Sequence, residues 1–210
     1  MLNTWLLKLQ TFPVIAVIRA PNLEVGRKMA ASVAKAGINL IEITWNSAEA
    51  GNLINKLRSE LPDCMIGTGT VLNIRDLNNA IASGAEYVFT PHVDAELIHT
   101  GIEQNIPINL GALTPTEIVS AWNLGASGVK VFPVQSMGGA NYIQSLQGPL
   151  GHIPLIPTGG VTLENAGDFL LSGAIAVGLS GELFPKALVE KGNWDAIAQN
   201  AKTLLQSLPK

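Results

Sequence analysis

Short apolar runs alternate with amphipathic stretches from one end of the chain to the other. Eight of the runs have strand character, at 14–18, 40–43, 65–67, 87–89, 106–109, 129–132, 155–157 and 175–178. Polar residues suited to starting a helix follow most of them: Asn22, Ser47, Asn73, Asp94, Thr114 and Thr162. Thr114-Pro115-Thr116-Glu117 also has the form of a capping box, with Pro at the first helical position. The intervening stretches carry apolar stripes at helical spacing, such as Val25, Met29 and Val33, or Leu53 and Leu57. Strictly alternating strand and helix predicts parallel strands joined by crossover helices. Eight such units predict a (β/α)8 TIM barrel in the α/β class, occupying 1–210 as one domain. A further helix at roughly 3–9 is expected to cover the barrel floor.

A weak repeat fixes the register. Gly37, Gly84, Gly125 and Gly173 each sit between a helical stretch and a strand, spaced 47, 41 and 48 residues apart. That interval is two strand–helix units, so these glycines precede strands two, four, six and eight. Alternate strands of a barrel fill the same interior layer. Five residues beyond each glycine stand Glu42, Phe89, Lys130 and Gly178. An acid and a lysine embedded in apolar strands therefore point into one layer.

Composition narrows the function classes. Hydrophobic residues make up 47% of the 210 and charged ones 14%, enough for a large core and little for a disordered tail. A net charge of −3 with no basic cluster gives no footprint for nucleic acid. Cys64 stands alone, which excludes a disulfide framework within the chain. No cationic segment precedes an apolar run at the start, and no apolar run approaches the ~18 residues of a membrane span. A cytoplasmic protein with no membrane partner is expected. His92, His99 and His152 lack ligand spacing, so no metal and no cofactor are expected.

Lys130 lies in Gly128-Val129-Lys130-Val131, where alternation turns the valines toward the helices and the lysine inward. Removing an amine from water is costly and favours its neutral, nucleophilic form, which can attack a ketone. Glu42, between Ile41 and Ile43, has the same geometry and suits proton transfer beside an imine. A structural ion pair between the two is the plainer alternative. Pro157-Thr158-Gly159-Gly160-Val161-Thr162 and Gly178-Leu179-Ser180-Gly181 follow strands seven and eight, where backbone amides of this fold cradle phosphate. Of the four arginines, Arg27, Arg58 and Arg75 fall on helical patterns. Arg19 alone ends a strand, positioned for a substrate carboxylate or for a salt bridge at the rim. Trp45 and His92 are expected to add walls to the pocket.

Glu42 within Glu-Ile-Thr, Gly67–Asn73 read as Gly-Thr-Gly-Thr-Val-Leu-Asn, Thr90-Pro91, Lys130 with Phe132-Pro133, and 157–160 together resemble one family. It is the 2-keto-3-deoxy-6-phosphogluconate (KDPG) and 4-hydroxy-2-oxoglutarate (KHG) aldolases, and the likeness runs over 13–184. The resemblance implies a metal-free class I aldolase, usually a homotrimer, acting in carbohydrate metabolism of the Entner–Doudoroff type. Its substrates would be a keto acid and a phosphorylated aldehyde. It implies that Lys130 forms the Schiff base and that Glu42 is the acid/base. Thr70, Pro91 and Phe132 would shape a pyruvate pocket, while Thr158, Gly159, Gly160, Gly178 and Ser180 would hold the phosphate. Two positions depart from the pattern: Asn46 stands where many phosphogluconate-type members have Arg, and Leu110-Gly111 replaces Pro-Gly. Arg19 with Asn46-Ser47 looks more like the phosphogalactonate branch, whereas Thr158 looks like the phosphogluconate type. A sugar-phosphate isomerase or epimerase on the same barrel, or a non-catalytic binding protein, are the competing readings.

Overall fold

The computed structural model describes residues 2–209 of the chain, with side chains from residue 4; Met1 and Lys210 lie outside them. Eight strands form the sheet: β1 (Val14–Ile18), β2 (Leu40–Thr44), β3 (Met65–Gly69), β4 (Val88–Phe89), β5 (Ile108–Ala112), β6 (Gly128–Val131), β7 (Leu155–Pro157) and β8 (Val177–Leu179). Every ladder is parallel, in the order β7-β6-β5-β4-β3-β2-β1-β8. A single bridge, Thr158 to Gly178, joins the two end strands and brings the sheet round into a nearly closed barrel. Helices return the chain between strands: α2 (Leu23–Ala36), α3 (Ala50–Glu60), α4 (Ile74–Ala82), α5 (Ala95–Glu103), α6 (Pro115–Asn123), α7 (Ala140–Leu150) and α8 (Ala166–Leu171). A short 3-10 turn, Val134–Met137, leads into α7. Beyond β8 come α9 (Lys186–Glu190) and α10 (Trp194–Ser207), the latter packed on α2.

Local chemistry explains the boundaries. Asn22, Asn73, Asp94 and Thr114 cap the helices they precede, and Glu117 completes the capping box. Ser47 does not cap a helix. α3 begins three residues later, after Glu49 in the left-handed region, and Ser47 Oγ turns sideways to accept from the Ala20 amide. Thr162 caps a turn, accepting from the Glu164 and Asn165 amides, and α8 starts beyond it. β5 starts at Ile108 rather than at 106 because Pro107 has no N–H for the ladder. The four spaced glycines all adopt positive φ, from 95° to 105°, at the turns between helices and strands.

The apolar side chains sort into two layers. Val129, Val131, Ile41 and Ile43 face outward and pack beneath the helices. Ile15, Val17, Leu40, Tyr87, Phe89, Ile156 and Ala176 fill the barrel interior. The floor is closed by α1 (Leu2–Thr11), which inserts Trp5 and Leu9 from below. Trp5 stacks at 4.8 Å on Tyr87 and donates its indole N–H to Asn109 Oδ1 at 3.0 Å. The barrel is thus solid at its amino-terminal end and open at the other.

Candidate active site

The open end holds a cleft of about 430 Å³, built from the carboxyl ends of the strands. The eleven residues to which the sequence assigned catalytic or substrate-binding roles all line it. Arg19 follows β1; Glu42 and Lys130 project from β2 and β6; Thr70 and Pro91 follow β3 and β4; and Phe132 follows β6. Thr158, Gly159 and Gly160 come after β7, and Gly178 and Ser180 from the end of β8. Two hollows of about 600 Å³ and 650 Å³ lie elsewhere, beside α1 and the carboxyl-terminal residues. The first contains Arg58 and Glu86, which pair with each other, and neither brings a lysine and a glutamate together in the barrel interior.

Glu42 is 2% exposed and Lys130 6%. Room for the carboxylate comes from β3, whose inward positions are Gly67 and Gly69. A Cβ on Gly69 would collide with Glu42 Oε1, and one on Gly67 would strike the Tyr87 ring. Burial raises the Glu42 pKa above the ordinary carboxylate value, and the charges of Lys130 and Arg19 partly oppose that rise. Glu42 Oε1 has no hydrogen-bond partner among the described residues. Lys130 Nζ stands 5.3 Å from the Phe132 ring centroid and 5.7 Å from that of Phe89. The two π-faces give the amine water-poor walls that tolerate its charge.

Among the described residues Lys130 has no ion pair, so it and Glu42 are not a closed structural salt bridge. Both line the cleft. Arg19 also has no carboxylate partner among the described residues; its Nε donates to Asn46 Oδ1 at 3.2 Å. Arg27 and Arg58, by contrast, are taken up in surface ion pairs. Thr70 adopts φ 61°, a conformation that costs a β-branched residue about 1–2 kcal/mol. Strain of this kind gathers where a side chain must be aimed. Gly159 and Gly160, at φ 84° and 90°, make a turn that other residues would resist.

Two expected walls are absent from the cleft. Trp45 packs against the outer core, and His92 lies outside the lining with Nε2 3.9 Å from Asp94. Val161, Thr162 and Gly181, from the two glycine-containing segments, line it too, and Val17, Thr44 and Glu182 do so without having been assigned to the site. Alternation could have found two of them, since Val17 precedes Arg19 and Thr44 follows Glu42 by one strand period.

A sequence model of the KDPG and KHG aldolase family matches residues 7–200. The chain is 34% identical over 199 residues to 2-dehydro-3-deoxy-phosphogluconate aldolase of Haemophilus influenzae, covering 94% of this chain and 93% of that one. It is 30% identical, with the same coverage, to the KHG/KDPG aldolase of Escherichia coli K12. Among solved structures it is similar to KDPG aldolase of Legionella pneumophila with pyruvate captured as a covalent carbinolamine, at TM-score 0.85 and 27% identity over 91% and 93% of the two chains. A native KDPGal structure matches at TM-score 0.83 and 28% identity over 92% and 93%. The chain belongs to the KDPG and KHG aldolase family and is, with it, a carbon–carbon lyase.

Proposed function

We propose that this aldolase cleaves 2-keto-3-deoxy-6-phosphogluconate to pyruvate and glyceraldehyde 3-phosphate through an imine on Lys130. The observation that carries the reading is that Lys130 and Glu42, both buried, line one open cleft without an ion pair between them among the described residues. Lys130 Nζ adds to the C2 ketone, and loss of water from the carbinolamine leaves an iminium. The iminium is the electron sink, so no metal is needed. Glu42 takes the proton from the C4 hydroxyl as the C3–C4 bond breaks, releasing the aldehyde and leaving an enamine. A proton returned to C3 gives the pyruvate imine, which water hydrolyses. A raised pKa suits Glu42 to both directions of transfer.

Arg19 binds the substrate carboxylate through its two terminal nitrogens, with Thr70, Pro91 and Phe132 shaping the pyruvate end. Thr158, Gly159, Gly160, Gly178 and Ser180 hold the phosphate by backbone amides and hydroxyls. 4-Hydroxy-2-oxoglutarate fits the same chemistry, giving pyruvate and glyoxylate without using the phosphate end. The phosphogalactonate epimer is the second reading, because the combination of Arg19 with Asn46-Ser47 resembles that branch of the family. Borohydride reduction in the presence of pyruvate should add one stable adduct to the native chain and none to Lys130→Arg, which keeps the charge and loses the nucleophile. Labelling of another lysine would sink the assignment. Cleavage rates on the two epimers and on 4-hydroxy-2-oxoglutarate, side by side, select the substrate. The enzyme is read as a homotrimer of the cytoplasm, which light scattering and fractionation test; among the described residues no helix is long and apolar enough to cross a membrane.

A further inference from the structure

Arginine side chains at a barrel rim have many rotamers, and an exposed guanidinium without a partner samples most of them. Arg19 is exposed, yet it is held. Its Nε donates to Asn46 Oδ1 at 3.2 Å, leaving both terminal nitrogens without a protein acceptor among the described residues. Nε bonding fixes the plane of the guanidinium while leaving its two-pronged face for a ligand.

The next residue grips the backbone on either side of Arg19. The buried Ser47 Oγ accepts from the Ala20 amide at 3.0 Å and donates toward the Ile18 carbonyl at 3.4 Å. Its third neighbour is Thr44 Oγ1 at 3.1 Å, a buried hydroxyl two residues beyond Glu42 on the same strand face. The Ala48 amide adds a backbone bond to the Ala20 carbonyl at 3.1 Å. The short turn after β2 is therefore fastened to the end of β1 at three consecutive residues, with Arg19 in the middle. A residue that failed to start a helix thus has a different use here.

We propose that Asn46 and Ser47 form a clamp that aims the Arg19 guanidinium at the substrate carboxylate, making Asn46 a positioning residue for the keto-acid end. The inference rests on the assignment of Arg19 to that carboxylate. Asn46 touches no reacting atom; it acts through Arg19 alone, so its effect exists only while Arg19 is present. It also ties carboxylate recognition to the strand that carries Glu42, since Ser47 Oγ contacts Thr44 Oγ1 on β2.

A double-mutant cycle tests this directly. Asn46 is exposed, so Asn46→Ala should keep the fold, which circular dichroism checks. In the native background Asn46→Ala should slow borohydride trapping of pyruvate about tenfold, the scale of one lost hydrogen bond to a charged group. Trapping of methyl pyruvate, which lacks the carboxylate charge, should be unchanged. In the Arg19→Ala background Asn46→Ala should change neither rate. Equal slowing of pyruvate and its ester, or a further tenfold loss without Arg19, would overturn the clamp. So would no loss at all in the native background. If Arg19→Ala itself traps pyruvate at the native rate, the carboxylate assignment fails first, while adduct formation on Lys130 still stands.

Discussion

Glu42 Oε1 occupies the place where a side chain on Gly69 would begin. The two residues lie on neighbouring strands, β2 and β3, and the glycine's missing Cβ is the carboxylate's space. Gly69→Ala should leave the outer core untouched but push the carboxylate out of line. A displacement of about 1 Å at a reacting group costs on the order of 100-fold in rate. We expect kcat for cleavage to fall by about that factor, with pyruvate still trapped on Lys130. An alanine variant of native activity would show that Glu42 has another place to go.

Glu42 also makes stability depend on pH. Its folded-state pKa is raised, with burial the main cause, so the fold favours the protonated carboxyl. That contribution is complete below the unfolded value, about 4.3, and is lost as pH rises through the folded value. Glu42→Gln, which cannot ionise, should therefore melt higher than the native chain at neutral pH. The gap should close toward pH 4. Activity should vanish in the glutamine variant, and the acid limb of the native rate profile should lie above the ordinary carboxylate range. Melting curves that run parallel at all pH values would contradict the direction of the shift.

At the opposite end, the Trp5–Asn109 bond predicts a change in stability without a change in catalysis. Trp5→Phe keeps a ring under Tyr87 but leaves Asn109 Oδ1 buried without its donor. The loss should be about 1–3 kcal/mol, read from the urea midpoint. kcat and KM should not move, because the cleft opens at the far end of the barrel.

Ser180→Asp places a negative charge where the phosphate is assigned. Binding of the phosphorylated sugar acid should weaken by on the order of 2 kcal/mol. Cleavage of 4-hydroxy-2-oxoglutarate, which has no phosphate, should suffer far less. Equal losses on both substrates would make Ser180 a structural residue.

The inward facing of Glu42, Phe89 and Lys130 was legible because strand alternation and a glycine repeat are both visible in sequence. Each turn glycine has φ near 100°, and that demand on backbone is written as residue type. Val17 and Thr44 escaped notice because, although alternation turns them inward with Arg19 and Glu42, neither residue type carries chemistry that marks a site. Ser47 misled for a specific reason. A hydroxyl after a strand serves equally to cap its own chain or to bond a neighbouring one, and only the packing of β1 beside β2 decides. Gly67 and Gly69 look like turn residues until Tyr87 and Glu42 are seen filling their places. A role defined by a distant partner leaves little trace in local pattern.

The thin join between β7 and β8 gives the barrel a seam, since one bridge stands there while β2 is registered to β1 at four pairs and to β3 at five. The seam runs between the two segments assigned to the phosphate, so a ligand there touches both lips at once. Bound phosphate would act as a stitch, completing the ring by bonds the polypeptide does not make for itself. Hydrogen exchange at the amides of 155–160 and 177–182 would then slow on ligation more than exchange in β2, where the fabric is already continuous on both sides.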